Sequence, residues 1–256
     1  MEAFELRMYD SRINRWLSPD PAGQYPSPYL SMGNNWISRI DPDGGADNPV
    51  YDSKGNYRGN TIEGFKGEAI IYDGNADFST LTKNELVDAG GIFLSTYSFN
   101  SPLFRDKIET HFANFKLGDG LDLKQKVSIK SANIGSNLYE ADTSNSNLNV
   151  FRGIDKNGRS NADKYYKPTV ENIRNVINLH EVGGHLLDGI TDTQLHYLVV
   201  LKQINHSQFQ STTQDFQGKT LRTLYQMNPK FVLENPRLHK LYYDIGHPWW
   251  TKFNKN

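Results

Sequence analysis

The chain has no cysteine among its 256 residues. Disulfides, thiolate metal sites and a cysteine nucleophile are therefore excluded together. Any transition metal held by this protein must rest on histidine and carboxylate. A charge excess is also missing: 28 basic residues face 29 acidic ones, a net charge of −1. That balance excludes a globally basic nucleic-acid binder and leaves only local patches. Long apolar runs are absent too. The longest, such as Leu198 to Leu201, fall far short of the ~20 residues that span a bilayer, so no membrane span is expected. The start, with Glu2, Glu5, Arg7 and Asp10 close behind Met1, has no signal-peptide pattern. A soluble chain is expected, exported or delivered by another device if it leaves its cell. There is no internal repeat and no low-complexity tract. Aromatic residues make up 12% of the chain, enough for a core.

What is present is uneven. Of seven histidines, one is at 111 and six lie at 180, 185, 196, 206, 239 and 247. Residues 1–45 are rich in turn formers, with five prolines between 19 and 42, and read as a loop-rich segment. Residues 46–85 read as a short β region. There Pro49-Val50-Tyr51 and Tyr57-Arg58 flank a turn at 52–56, and Glu68 to Tyr72 forms a strand. Residues 86–256 form the main domain. Ile92 to Phe99 is a strand candidate. Ser101-Pro102 opens a helix running to about Leu117. Residues 125–130 and 149–152 read as strands, Asn133 to Asn149 as a polar loop, and helix dominates from Pro168 onward. The fold class expected is α+β: a short β region in the N-terminal half, and a helical C-terminal half carrying a metal-binding helical hairpin.

Several ordered submotifs in the first segment resemble a known family. They are Tyr9 to Pro21 (YDSRINRWLSPDP), Ser27-Pro28-Tyr29, Gly33-Asn34-Asn35 and Asp41-Pro42-Asp43-Gly44. Together they are similar to the closing segment of RHS repeat-associated core domains. Asn14 and Trp36 stand where that pattern usually has Gly and Pro, and no repeat array precedes the segment. The resemblance implies a C-terminal toxin cassette of the polymorphic-toxin kind, a cognate immunity protein as partner, and delivery into a target cell by a dedicated secretion system. It also makes Asp41 and Asp43 candidates for self-cleavage.

The chemistry concentrates at His180-Glu181-Val182-Gly183-Gly184-His185. Val170, Ile173, Val176 and Ile177 share one helix face, and His180 continues it. In HExxH the two histidines lie ~40° apart on the wheel, whereas a spacing of five sets them ~140° apart. One extra residue taken up as a π-bulge would bring them together, and Gly183-Gly184 supplies a soft backbone for it. The hexad is similar to the HExxGH motif of the dipeptidyl peptidase III family of zinc peptidases. That resemblance implies His180 and His185 as zinc ligands and Glu181 as the residue that activates water.

A catalytic zinc usually has a third protein ligand. The helix ends near Leu187-Asp188-Gly189, and Thr191 to Gln194 reads as a capping box that opens the next helix. His185 lies about one turn before this break and His196 about one turn after it, so the two face each other in a hairpin. His196 is the third ligand on that geometry, with Asp192, Asp188 and Glu234 as carboxylate alternatives. His206 falls off the His196 face and is placed, with Asp188, Asp192 and Asn205, among residues that could orient the ligands. The function expected is a zinc-dependent hydrolase, a metallopeptidase, with Zn2+ as cofactor and a protein or peptide as substrate. A metal-dependent nuclease toxin and a non-enzymatic domain with a structural zinc are the alternatives. The neutral charge and scattered basic residues argue against nucleic acid as a partner.

Overall fold

A computed structural model describes residues 2–3, 8–10, 15–16, 49–62, 65–97, 102–144 and 146–245, the side chains of 2–3, 8–10, 15–16 and 243–245 excepted. Asp41 and Asp43 lie outside the described residues, as does Ser101. The fold is α+β, as expected. Contacts along the chain divide it into two compact units, Met1–Asp122 and Leu123–Asn256. That boundary falls inside the stretch 86–256 expected to form the main domain.

In the first unit, β1 (Glu2–Ala3), β2 (Met8–Asp10) and β3 (Arg15–Trp16) form an antiparallel meander. A four-stranded sheet follows in the order β5 (Tyr57–Asn60), β4 (Pro49–Tyr51), β6 (Ile70–Ile71) and β7 (Ile92–Phe93). The expected hairpin is present as antiparallel β4–β5, with its turn tied by backbone N–H groups of Lys54 and Asn56 donating to Asp52. β7 is two residues long rather than the eight expected, because the chain turns at Leu94–Thr96. Val50, Ile70, Tyr72 and Leu86 form the core beneath this sheet, Leu86 coming from α1 (Lys83–Asp88), whose start is a Thr82–Glu85 capping box.

α2 (Pro102–Asn114) buries Ile108 and Phe112 and a fully buried Arg105–Glu109 ion pair one turn apart. It also presents His111 to an aromatic cluster of Tyr51, Tyr57, Phe65 and Phe115. The hydroxyl of Tyr51 hydrogen-bonds the ring Nδ1 of His111.

The second unit starts with a three-stranded sheet ordered β8 (Ser128–Ala132), β10 (Asn149–Gly153) and β9 (Tyr139–Ala141). β10 runs parallel to β8 and antiparallel to β9. β9 is an edge strand inside the stretch expected to be loop. A helical layer follows: α3 (Val170–Arg174), a π-helix (Asn175–Leu187), α4 (His196–Asn205), α5 (Gln214–Met227), α6 (Pro229–Leu233) and α7 (Pro236–Ile245). Thr169 caps α3 by accepting from Asn172 N–H at 3.2 Å. The Asn172 amide reaches Thr213, the N-cap of α5, with hydrogen bonds of 2.9 and 3.0 Å, so two helix starts are locked together. Val182, Val199, Phe216 and Leu224 fill the interior of this layer. Among the described residues no helix is long and apolar enough to cross a membrane.

Burial lowers the pKa of His111 to about 4. The unfolded ring titrates near 6.5, so above that pH the histidine is neutral in both states and has no effect on stability. As pH falls from 6.5 toward 4, the unfolded chain takes up a proton that the folded one refuses, and stability is lost. The loss is on the order of 2 kcal/mol, discounted from the full shift for the ring's partial exposure. Urea titrations at pH 7 and pH 4.5 should show the native chain losing that much more stability than His111→Gln. Equal losses would contradict this account.

Candidate metal centre

The π-helix sets the site. In a ladder bonded i→i+5, residues five apart stack one turn above the other. Its last bond, from Asp188 N–H to Gly183 C=O at 3.2 Å, has that spacing. The expected local bulge is here a widened helix of 13 residues. His180 and His185 therefore share a face. α4 crosses that face and begins at His196.

Gly184 permits the crossing. A Cβ at that position would lie 2.3 Å from Val199 Cγ1 and 2.9 Å from Cγ2. Lys202 of α4 donates to the carbonyl of Gly183 at 3.0 Å and pairs with Asp188 at 2.7 Å. The glycine pair thus serves helix contact as well as backbone softness. The expected capping box does not form. The side chain of Asp192 accepts from Gln194 N–H at 2.7 Å, which makes a turn there. α4 then starts behind Leu195, with no side-chain cap.

The three imidazoles make a nearly regular propeller. Ring centroids are 4.9, 4.9 and 5.1 Å apart, with mutual tilts of 65° to 66°. One ring nitrogen from each lies within 4.8 Å of the others, close enough to bind one metal ion. The Nε2 atoms of His180 and His196 are 2.8 Å apart. Two of the rings are oriented by neutral acceptors. Nδ1 of His180 is 2.8 Å from Oε1 of Gln203, whose amide nitrogen donates to Asn175 Oδ1 at 3.0 Å. Nδ1 of His185 hydrogen-bonds the carbonyl of Ile190. That carbonyl is delivered by the turn at Gly189, where φ is +69°, a conformation suited to glycine. Donation through Nδ1 leaves Nε2 as the lone-pair nitrogen, the form a metal needs.

Burial is the main cause lowering the pKa of His180, to about 3, and that of His196 below its ordinary value. Both rings are thus neutral bases near pH 7. The donor set fits a divalent ion that prefers nitrogen ligands.

Glu181 is buried and lines the same cavity, of about 790 Å³, as the three histidines. Burial is the main cause raising its pKa to about 8; Glu140 adds to the rise, and a hydrogen bond from the Ala141 backbone N–H opposes it. All three residues of β9 line this cavity.

The other candidates lie elsewhere. Asp188 is engaged by Lys202 and Asp192 by the turn at Gln194. His206 is the C-cap of α4, and its Nδ1 accepts from Gln208 N–H at 3.2 Å. Asn205 is the last residue of α4. Glu234 caps α6 and faces Lys230 at 4.0 Å. The ring-orienting role expected of Asp188, Asp192, Asn205 and His206 falls instead to Gln203 and Ile190. Gln203 could have been found, since it lies seven residues after His196 and so on the same stripe of α4.

Gly184→Ala should lower stability by roughly 1–3 kcal/mol through overpacking against Val199. Adding Val199→Ala should recover part of that loss. A thermal melt of the two variants checks the coupling; simple additivity of the two changes would exclude the contact as the cause.

No family model matches the chain, and no solved structure matches it. A stretch of 41 residues, 16% of the chain, is 49% identical to salivary gland surface protein 1 of Aedes aegypti. The chain spans about 1% of the length of that protein.

Proposed function

We propose that the second unit is a zinc-dependent hydrolase that cleaves amide bonds, a metallopeptidase. The observation that carries this reading is the convergence of three imidazole nitrogens beside Glu181 on one open cavity. Three nitrogen ligands with a free side make up a catalytic zinc set, whereas structural zinc is usually closed by four. Among the described residues the group is His180, His185 and His196, with no fourth ligating side chain in the cluster. That favours the catalytic reading over a structural zinc.

Zinc held there by His180, His185 and His196 would supply Lewis acidity toward a carbonyl oxygen and toward water. Glu181 is the general base: it takes a proton from the attacking water and returns it to the leaving amine. Burial, with Glu140, holds the pKa of this carboxyl at about 8, and a divalent charge held by His180, His185 and His196 would draw it toward the carboxylate the role requires. An extended peptide suits the cavity because all three residues of the short strand β9 line it. The RHS resemblance of residues 1–45 supports a wider setting, in which this unit is a secreted toxin cassette neutralised by an immunity protein.

Purified chain should carry close to one zinc per molecule by elemental analysis and should cut a random peptide library in a chelator-sensitive way. His196→Ala should lose the zinc. Glu181→Gln should keep it and lose at least about 10²-fold in hydrolysis. Wild-type hydrolysis by Glu181→Gln would sink the mechanism.

The orienting acceptor gives a separate expectation. Gln203→Leu should weaken zinc affinity by about 10–100-fold without unfolding the chain. Competition with a chromophoric chelator reads this directly, and an unchanged affinity would remove Gln203 from the site.

A further inference from the structure

The cavity that holds the histidines has a second chemical character. α5 contributes Lys219 to its lining, half-buried, with its ammonium 3.9 Å from the centre of the Tyr165 ring. A cation on an aromatic face is partly compensated, though its charge is not cancelled. Other lysines of this unit find acids: Lys202 pairs with Asp188 and Lys230 lies near Glu234. Lys219 makes no ion pair with a carboxylate among the described residues. Its charged neighbour is a like one, Arg222, and burial and that arginine together lower its pKa.

Tyr165 and Ser136 also line a second cavity, of about 390 Å³, so the two spaces meet at this tyrosine. The second cavity adds Lys156 and Lys164. It also has one acid, Asp155, whose Oδ1 already accepts the backbone N–H groups of Asn157 and Arg159 at 2.8 and 3.0 Å. Three lysines therefore line the two spaces that share Tyr165, and the single carboxylate of the smaller one is held by its own turn and lies near Lys164 and Arg159. The acids of the main cavity, Glu181 and Glu140, come from the π-helix and β9, and neither forms an ion pair with Lys219.

We propose that the Tyr165 end of the cleft binds a carboxylate of the substrate, with Lys219 as its direct partner. The reading rests on the metallopeptidase assignment and narrows its substrate class to acidic peptides or peptides with a free C-terminus. A half-buried ammonium without a counter-ion has lost hydration that no protein acid restores, and an incoming carboxylate restores it. The aromatic ring beneath fixes the ammonium in place, so little ordering remains when the ligand arrives.

The test uses zinc-loaded full chain carrying Glu181→Gln, so that peptides are held rather than cut. Two N-acetylated random octapeptide libraries are the probes, one with a free C-terminal carboxyl and one amidated. Retained peptides are sequenced by mass spectrometry. Enrichment of Asp and Glu in both libraries assigns the carboxylate to a side chain. Preference for the free-acid library over the amidated one assigns it to the C-terminus. Either enrichment should be about tenfold, should vanish when Lys219→Met is added, and should persist with Lys219→Arg, zinc content staying equal in all three as the check on folding.

No enrichment in either library, or enrichment undiminished by Lys219→Met, overturns the proposal. Failure of the peptidase reading looks different. Wild-type chain would then cut neither library, while Lys219-dependent retention of acidic peptides would still stand.

Discussion

A backbone ladder of i→i+5 spacing between Asn175 and Leu187 is what stacks His180 over His185. In a regular α-helix the same two side chains would point ~140° apart and could not serve one ion. Widened helices are rare beyond a single turn, because their hydrogen bonds and axial packing are poorer. This one persists because its surroundings hold it. Ile177 and Val182 are fully buried, Val199 closes onto Gly184, and Lys202 takes the carbonyl of Gly183. Each glycine costs roughly 1 kcal/mol against alanine inside a helix. At Gly184 that cost is offset by close contact with α4, the element that brings His196 within reach. The helix distortion and the placement of the third histidine therefore have one cause.

The hexad and the hairpin were legible from the sequence because their geometry is carried by spacing alone. Five residues separate the first two histidines, and a glycine-marked break separates the second from the third. β9 was not legible. Tyr139-Glu140-Ala141 is too short to show alternation, and its pairing with β10 is non-local. The surrounding run of Asn and Ser reads as loop whether or not three residues in it join a sheet. The partners of the histidines were misread for a chemical reason. Carboxylates are common partners of ligand imidazoles, so the nearby aspartates drew attention. Here the acceptors are an amide and a backbone carbonyl. Gln203 was within reach of a helical-wheel argument. Ile190 was not, since its carbonyl is aimed only by the left-handed turn at Gly189.

The choice of neutral acceptors has an electrostatic consequence. Glu181 is already a buried carboxyl with its pKa pushed up to about 8 by desolvation, and Glu140 pushes it further the same way. An aspartate on the Nδ1 side of His180 would add a third carboxyl group to a poorly hydrated region. Gln203 orients the ring without that charge, and Asn175 fixes which end of the amide faces it. The hydrogen bond from Ala141 to Glu181 works in the opposite direction, favouring the carboxylate, and it also ties Glu181 to a strand that lines the cleft.

A ligand set of three neutral imidazoles leaves the charge of a divalent ion uncancelled, whereas a carboxylate ligand would remove a unit of it. An ion held there would act with the field of its full charge on the Glu181 carboxyl beside it and on any oxygen that entered the cavity. For a group whose burial alone would hold its proton at neutral pH, that field is the influence able to release it. The same field attracts anions without discrimination, so an acidic substrate could settle with its carboxylate on the ion instead of its scissile bond. On the proposed reading, a separate cationic anchor at Lys219 would compete for that carboxylate. Anchoring the charge there would leave the histidine side of the cavity to a carbonyl and to water, as amide hydrolysis by Glu181 would require.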